Sequence, residues 1–188
     1  EQFIRAHLKP NITPKFFYRD DAPTTVKRRF LEPAFLRKMF EICALVDTPL
    51  PESTARELDS YLDAHLGDYD VVIVTDFGHG FLQGDTVNVI CHRSRFIALN
   101  TQTNSANKGY NLVTKYPRAD YVCIDEPEIR LATGDRFSDL QNMMLTVRNQ
   151  LKCGTITVTR GHEGALTFDG ERGFTSVPVF SNQIVDTM

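Results

Sequence analysis

The fold is decided by Asp70-Val71-Val72-Ile73-Val74-Thr75-Asp76-Phe77-Gly78-His79-Gly80-Phe81-Leu82, in which four consecutive apolar residues lead into a glycine-rich turn. A continuous apolar run of this kind is typical of a parallel strand that is buried on both faces. The glycines after it let the backbone approach a ligand closely. We therefore expect a strand that ends at Asp76, with Asp76 beside a bound substrate. Nothing near His79 marks it as a catalytic base, so it is interpreted as a solvated loop histidine.

Strand and helix patterns alternate through the rest of the chain from residue 52 onward. This alternation, with short turns, predicts an α/β domain with a largely parallel sheet and helices on both faces. Ligands of such sheets bind beyond the carboxyl ends of the strands. The loops at residues 76–80, 100–104, 125–128, 159–164 and 186–188 should therefore converge on one crevice. Helices are predicted over residues 52–66, 84–93, 126–133 and 137–151, and strands over 71–74, 96–99, 121–124, 155–159, 165–168 and 176–180.

The first forty-odd residues have a different pattern. Residues 16–18, 24–31 and 38–42 are rich in β-branched and aromatic residues and are separated by prolines, which predicts a small antiparallel sheet. Lys27 and Arg29 alternate along one strand and therefore share a face. Either this face binds an anionic ligand or it is simply solvated. The boundary between the two parts is placed between residues 46 and 47.

Composition excludes several classes of function. The chain has 188 residues, of which 41% are hydrophobic and 24% charged, as expected for a soluble globular domain. Its net charge of −3 provides no field to hold nucleic acid or an anionic membrane. No apolar run approaches the ~18–20 residues that span a bilayer. The four cysteines are scattered without a Cys-x-x-Cys pair, which predicts buried reduced thiols and a cytoplasmic location.

Two strand ends carry further candidate residues. Thr159-Arg160-Gly161-His162-Glu163-Gly164 follows a predicted strand, and its glycines would let backbone N–H groups approach an anion. The same residues also suit an ordinary hairpin turn. Asp125-Glu126-Pro127-Glu128 offers hard oxygen ligands of the kind that magnesium prefers. It equally suits a helix start, where acidic residues and a proline are favourable.

Residues 70–82 and 155–164, together with Val185-Asp186-Thr187-Met188, resemble the ribokinase/PfkB family of carbohydrate kinases. The resemblance implies a ribokinase-like three-layer α/β/α fold with a mostly parallel sheet and a small antiparallel β lid. It also implies ATP-dependent phosphorylation of a sugar or sugar phosphate hydroxyl. The chain departs from the family at residues 100–104, where the family has Asp-Pro-Lys, and at Asp125, where it has Asn.

The same resemblance implies roles for individual residues. Thr159, Gly161, Gly164 and Asp125 would contact the nucleotide. Glu128 would organise Mg²⁺, and Asp186 would help to bind a monovalent cation. An Asp-Thr helix cap is the alternative reading of Asp186-Thr187.

Residues 24–30 and 37–41 resemble the lid strands of the heptose 7-phosphate kinase branch, whose members are also known as ADP-heptose synthases. That likeness implies that Lys27 and Arg29 bind the substrate, as Asp76 would, and that the substrate is a heptose phosphate or a similar sugar. It also implies a homodimer through the lid and a nucleotidyltransferase domain elsewhere in the whole protein.

In the family, the pattern at residues 185–188 runs into Gly-Ala-Gly-Asp, whose Asp is the catalytic base. The resemblance therefore implies a domain truncated at both ends, a base beyond Met188 and no activity of the chain by itself. The alternative is a catalytically degenerate module that binds sugar or nucleotide or only dimerises.

Overall fold

A computed structural model describes residues 1–34, 37–103 and 107–180. Its N-terminal part contains helix α1 (Gln2–His7) and the antiparallel strands β1 (Val26–Leu31) and β2 (Lys38–Ala44). The predicted small antiparallel sheet is thus present. The strand predicted at residues 16–18 is wrong, because this segment forms no ladder. Phe17 instead packs edge-on against Tyr61, with the ring centroids 5.7 Å apart.

A second sheet forms the body of the described chain, with its strands in the order β3-β4-β5-β6-β7-β8. Strands β3 to β6 run parallel, and β7 and β8 add antiparallel hairpins at one edge. The strands are β3 (Val72–Asp76), β4 (Ile97–Thr101), β5 (Tyr121–Asp125), β6 (Thr155–Thr159), β7 (Ala165–Asp169) and β8 (Gly173–Val177). The helices between them are α2 (Glu52–His65), α3 (Asp85–Arg93), α4 (Glu126–Thr133) and α5 (Leu140–Leu151).

The core lies on one face of this sheet. Val74, Leu99, Val122 and Ile156 are cross-strand neighbours, and all four are buried. Residues of α3, α4 and α5 complete the same apolar cluster. On the opposite face Ile73 is 73% exposed. Helices were expected on both faces, but within the described ranges the core-forming helices cover only one.

Within residues 1–34, 37–103 and 107–180, every helix is too short or too polar to traverse a lipid bilayer.

Candidate functional site

Residues predicted for the site meet at the carboxyl edge of the parallel strands. Asp76 is the register partner of Thr101, and Asp125 is the partner of Thr159. Between these two pairs, β4 and β5 are in register only at Ala98↔Tyr121 and Leu99↔Val122. The two strands therefore separate toward their carboxyl ends, which is where an open parallel sheet forms its ligand crevice.

Asn100 occupies the point where β4 and β5 separate. Its Nδ2 donates a hydrogen bond to the carbonyl oxygen of Cys123 at 2.7 Å. The side chain thus replaces a ladder bond that the diverging backbones no longer make. Asn100 departs from the family pattern, and it links the two strands at the point where they separate. Asn104 lies outside the described residues.

Asp76 turns its carboxylate into the protein. The residue is 4% exposed. Its Oδ2 accepts a hydrogen bond from the Tyr116 hydroxyl at 2.8 Å and pairs with Lys115 Nζ at 2.5 Å, while Oδ1 accepts from Gly78 N at 2.9 Å. Burial, reinforced by the Asp76 carboxylate, raises the pKa of Tyr116 far above its usual value, so the phenol keeps its proton. The carboxylate thus fixes the glycine turn, and any contact of Asp76 with substrate would come through that turn.

Two asparagines support the same turn from the loop after β4. Asn111 Nδ2 donates to the Asp76 carbonyl oxygen at 3.0 Å, and Asn107 Nδ2 donates to the Gly78 carbonyl oxygen at 2.9 Å. Sequence reasoning missed both residues, because single amides in a loop form no pattern. A cavity of about 370 Å³ opens beside them and is also lined by Asp47 and Lys115.

Asp125 and Glu128 form a reciprocal cap at the start of α4. Glu128 N donates to Asp125 Oδ1 at 2.7 Å, and Asp125 N donates to Glu128 Oε2 at 3.0 Å. Glu128 Oε1 also accepts from Thr103 N at 2.8 Å, so this one side chain ties the end of β4 to the end of β5. Burial raises the pKa of Glu128.

The donor set around Glu128 does not make a metal cage by itself. Both of its carboxylate oxygens already accept backbone N–H groups. Across the part of the chain that the structure describes, no three or more His, Cys, Asp or Glu side chains cluster closely enough to hold a metal ion. Magnesium is commonly held by one or two carboxylates together with substrate phosphates and its own water molecules. Asp125 and Glu128 fit that limited role, and Asp186 lies outside the described residues.

The turn from Thr159 to Gly164 is a β-hairpin between β6 and β7, as its ordinary interpretation predicts. Arg160 N donates to the Gly164 carbonyl oxygen at 2.8 Å. Both glycines have positive φ, 54° at Gly161 and 82° at Gly164. A Cβ on Gly161 would meet open space, whereas one on Gly164 would collide with the Val177 carbonyl oxygen. Gly161 therefore leaves room for a ligand, and Gly164 is required for packing.

This difference predicts a matched pair of variants. Gly164→Ala should lower the free energy of unfolding by about 2–4 kcal/mol, because strain at positive φ adds to a backbone collision. Gly161→Ala should cost only about 1 kcal/mol, since the strain is present without the collision. Chemical denaturation of both variants measures the difference. Equal losses would show that the approach to Val177 does not matter.

Lys27 and Arg29 lie on the same face of β1, as their alternation predicts. Arg29 Nε pairs with Glu41 Oε2 at 2.7 Å across the strand pair. The pKa of Glu41 is lowered to about 2, first by a hydrogen bond from the Cys43 thiol and then by Arg29. On this face of the lid, Lys27 therefore lies next to Arg29, whose charge is already paired with Glu41.

The prediction of a solvated His79 is wrong. The side chain is half-buried, and burial lowers the pKa of the imidazole. Its Nδ1 is buried and has no hydrogen-bond partner among residues 1–34, 37–103 and 107–180. The sequence gives no sign of this, because the neighbouring Gly80 packs against Thr48, which is distant along the chain.

Comparisons with known proteins place these features in a known fold. No protein-family profile matches the chain. In sequence it is 21% identical over 173 residues, or 90% of its length, to Bifunctional protein HldE of Citrifermentans bemidjiense, of which it covers 34%. In structure it matches ribokinase from Thermotoga maritima with a TM-score of 0.59 at 16% identity, over 88% of this chain and 51% of that one. It matches phosphofructokinase-2 from Escherichia coli in complex with potassium with a TM-score of 0.55 at 10% identity, over 74% and 46%.

The chain spans about a third of the length of the curated relatives it matches. It has a ribokinase-like α/β fold with a small antiparallel sheet, and its resemblance to the ribokinase/PfkB carbohydrate kinases is confirmed.

Proposed function

We propose that this chain is the nucleotide-side part of a carbohydrate kinase domain. Residues 1–46 form the lid and its connection, and residues 47–188 form the α/β part. The whole protein transfers the γ-phosphoryl group of ATP, as its magnesium complex, to a hydroxyl of a sugar or sugar phosphate in the cytoplasm. The free state of all four cysteines supports a reducing compartment.

The observation that carries this proposal is the crevice at the carboxyl edge of β3 to β6. Asp125 and Thr159 stand on one side of the separating strands, and the turn after Asp76 stands on the other. Phosphoryl transfer requires mainly positioning and charge stabilisation, and a crevice between two fixed turns can hold donor and acceptor side by side.

On the nucleotide side, the open space at Gly161 lets phosphate or adenine approach the backbone after β6. Thr159 is exposed at the strand end and can donate its hydroxyl. Magnesium would enter the site as its complex with ATP. Asp125 is exposed at the strand end and can contact the ion, while Glu128 holds the backbone of the two strand ends. Asp186 is assigned to a monovalent cation.

On the sugar side, Lys27 provides a positive charge for a phosphate group on the acceptor. Arg29 can contact the same phosphate once its ion pair with Glu41 is broken. The likeness of the lid strands to the heptose 7-phosphate kinase branch makes a phosphorylated heptose our first choice of acceptor. Similarity to Bifunctional protein HldE supports the same choice.

The test is consumption of ATP by the full-length protein against a panel of sugars and sugar phosphates. We expect turnover with one acceptor. Lys27→Ala should raise KM for a phosphorylated acceptor and leave KM for ATP unchanged, with Lys9→Ala, an exposed lysine outside the two lid strands, as the control. Failure of every acceptor would contradict the proposal.

Two observations favour a non-catalytic binding module as the second candidate. Both Glu128 oxygens are already used by the backbone, and Asp125 puts a carboxylate where the family has an amide. In that case the full-length protein would bind nucleotide or sugar without consuming ATP.

The face of the lid opposite Lys27 and Arg29 supports a homodimer. Phe30 and Phe40 stack with their ring centroids 4.4 Å apart, and Val26 and Ile42 extend this largely apolar face, on which Arg28 lies opposite Ile42. The four apolar side chains remain exposed, with Ile42 at 55%. A two-stranded ribbon is at best marginally stable alone, and a second lid packed on this face would cover it.

Phe40→Glu should therefore convert a dimer of the full-length protein into a monomer, because it replaces one ring of the aromatic stack with a charged group whose burial is costly. Lys27→Glu places the same charge on the other face of the ribbon and should leave the dimer intact. Sedimentation equilibrium distinguishes the two variants. A monomeric wild-type protein would contradict the assignment.

A further inference from the structure

A polar pocket lies between the glycine turn and the first half of α3. Its volume is about 370 Å³, within the ~300–1,000 Å³ of ordinary small-molecule sites. Gly78, Asn107, Asn111 and Lys115, which belong to the turn or to its support, form one part of the wall, and Asp47 lies on another. The pocket is therefore large enough for one small molecule, and it borders the turn on the sugar side of the crevice.

The positive charge in the wall of this pocket is not available to a ligand. Lys115 Nζ pairs with Asp76 Oδ2 at 2.5 Å, and it donates to Asn111 Oδ1 at 2.7 Å and to the Leu82 carbonyl oxygen at 2.9 Å. An ammonium group has three N–H donors, and these three contacts use them. Lys115 therefore offers neither a free donor nor an unpaired charge to a phosphate group.

Other residues that line the pocket have polar side chains that are still available. Asp47, Gln83, Asn88 and Tyr110 are all exposed, and within residues 1–34, 37–103 and 107–180 their side chains have no hydrogen-bond or ion-pair partner. The amides and the phenol can each donate and accept hydrogen bonds, whereas the carboxylate only accepts. Because the charge of Lys115 is neutralised by Asp76, the Asp47 carboxylate dominates the electrostatics of the pocket.

This set of groups fits a neutral ligand that is rich in hydroxyl groups. A hydroxyl can donate to the Asp47 carboxylate and accept from an amide N–H at the same time. Hydrogen bonds to an ionised acceptor are roughly twice as strong as those between neutral groups. A phosphate group would instead meet a like charge, which is costly when no free cation offsets it. The pocket therefore suits a sugar and disfavours a phosphate or a nucleotide.

We propose that this pocket binds the hydroxyl-bearing part of the acceptor sugar, with Asp47 accepting from its hydroxyl groups and Asn88 of α3 contributing its amide. This inference rests on the proposed function and names residues of its sugar site. Asp47 follows the end of β2 at Ala44, so the pocket begins where the lid ends, and a phosphate group on the same sugar can lie toward Lys27. Gly78 belongs both to the pocket and to the turn beside the crevice, so a bound sugar can present a hydroxyl to the nucleotide side.

Asp47→Ala in the full-length protein tests the assignment by the sign of its effect. For the acceptor that the wild type phosphorylates, KM should rise about tenfold, as the loss of a hydrogen bond to a charged group predicts, and KM for ATP should stay unchanged. If the pocket held the phosphate group, the same change would lower KM for the acceptor, because it removes a like charge. Asp68→Ala is the matched control, since Asp68 is an exposed carboxylate before the other end of β3.

Asn88→Leu tests the same pocket from α3. The change removes the amide from an exposed helix position that a leucine tolerates well, and it should raise KM for the acceptor about fivefold. Asn142→Leu is its control, because Asn142 is an exposed asparagine of α5 that does not line the pocket.

A readout independent of turnover is the NMR signal of the Asn88 side-chain amide, which should shift when the acceptor is added without nucleotide, while that of Asn142 stays in place. An unshifted Asn88 signal, or a wild-type or lowered KM for the acceptor in Asp47→Ala, would overturn the assignment of the pocket while sugar phosphorylation stands. A wild-type KM in Asn88→Leu would overturn the part given to α3. Absence of both turnover and binding with every acceptor would overturn the proposed function, and the assignment of the pocket with it.

Discussion

Replacing Asp76 by Ala should lower the free energy of unfolding by roughly 3–5 kcal/mol, the usual cost of removing one partner from a buried ion pair. The substitution leaves Lys115 Nζ, the Tyr116 hydroxyl and the Gly78 N–H without their shared acceptor. Tyr116 is only 1% exposed, so water cannot replace the lost carboxylate there. Chemical denaturation followed by circular dichroism measures the loss.

Asp70→Ala is the control for this prediction. Asp70 precedes the other end of β3, its side chain is 96% exposed and its pair with Arg95 spans 3.4 Å. Exposed pairs of this kind contribute about 0–1 kcal/mol. If Asp76→Ala unfolded as Asp70→Ala does, Asp76 would not hold the turn, and the account of the sugar side of the crevice would fail.

Replacing Glu128 by Ala should cost roughly 1–3 kcal/mol for each of the two backbone N–H groups that it leaves without an acceptor. The Thr103 and Asp125 amides should exchange with solvent faster, because the link between the ends of β4 and β5 is gone. Hydrogen exchange followed by NMR measures both amides directly.

Glu126→Ala is the control two residues away, since Glu126 pairs with Arg130 of its own helix, at 2.6 Å. Such a pair contributes about 0.3–0.5 kcal/mol. Wild-type exchange at Thr103 in Glu128→Ala would contradict the bridging role.

The raised pKa of Glu128 adds a test by pH. Just above the unfolded value of 4.5, the folded state binds more protons than the unfolded state. This contribution to the free energy of unfolding is therefore complete below pH 4.5 and is lost as pH rises through the folded pKa. Glu128→Gln should remove this pH dependence.

The strands were predictable because a continuous run of apolar residues indicates a buried strand. Residues 155–159 form a strand with the predicted bounds, and residues 126–133 form a helix with the predicted bounds. Local signals also located both sides of the crevice, since an Asp or Thr directly after an apolar run lies at the carboxyl end of a strand.

The support of the site was not predictable, because it depends on contacts between distant segments. Asn107 lies 29 residues from the Gly78 carbonyl that it binds, and Glu128 lies 25 residues from Thr103. The sequence shows only a lone amide and a helix cap at these positions. His79 was misjudged for the same reason, because its turn packs at Gly80 against Thr48, which is distant along the chain.

The most direct test of the central claim is to incubate the full-length protein with γ-labelled ATP, magnesium and one acceptor at a time, and to follow the label. The account predicts that the label moves to a hydroxyl of one sugar or sugar phosphate, and that the transfer weakens in Lys27→Ala. Label that stays on ATP, or leaves only as inorganic phosphate with every acceptor, would contradict a sugar kinase and favour a binding module.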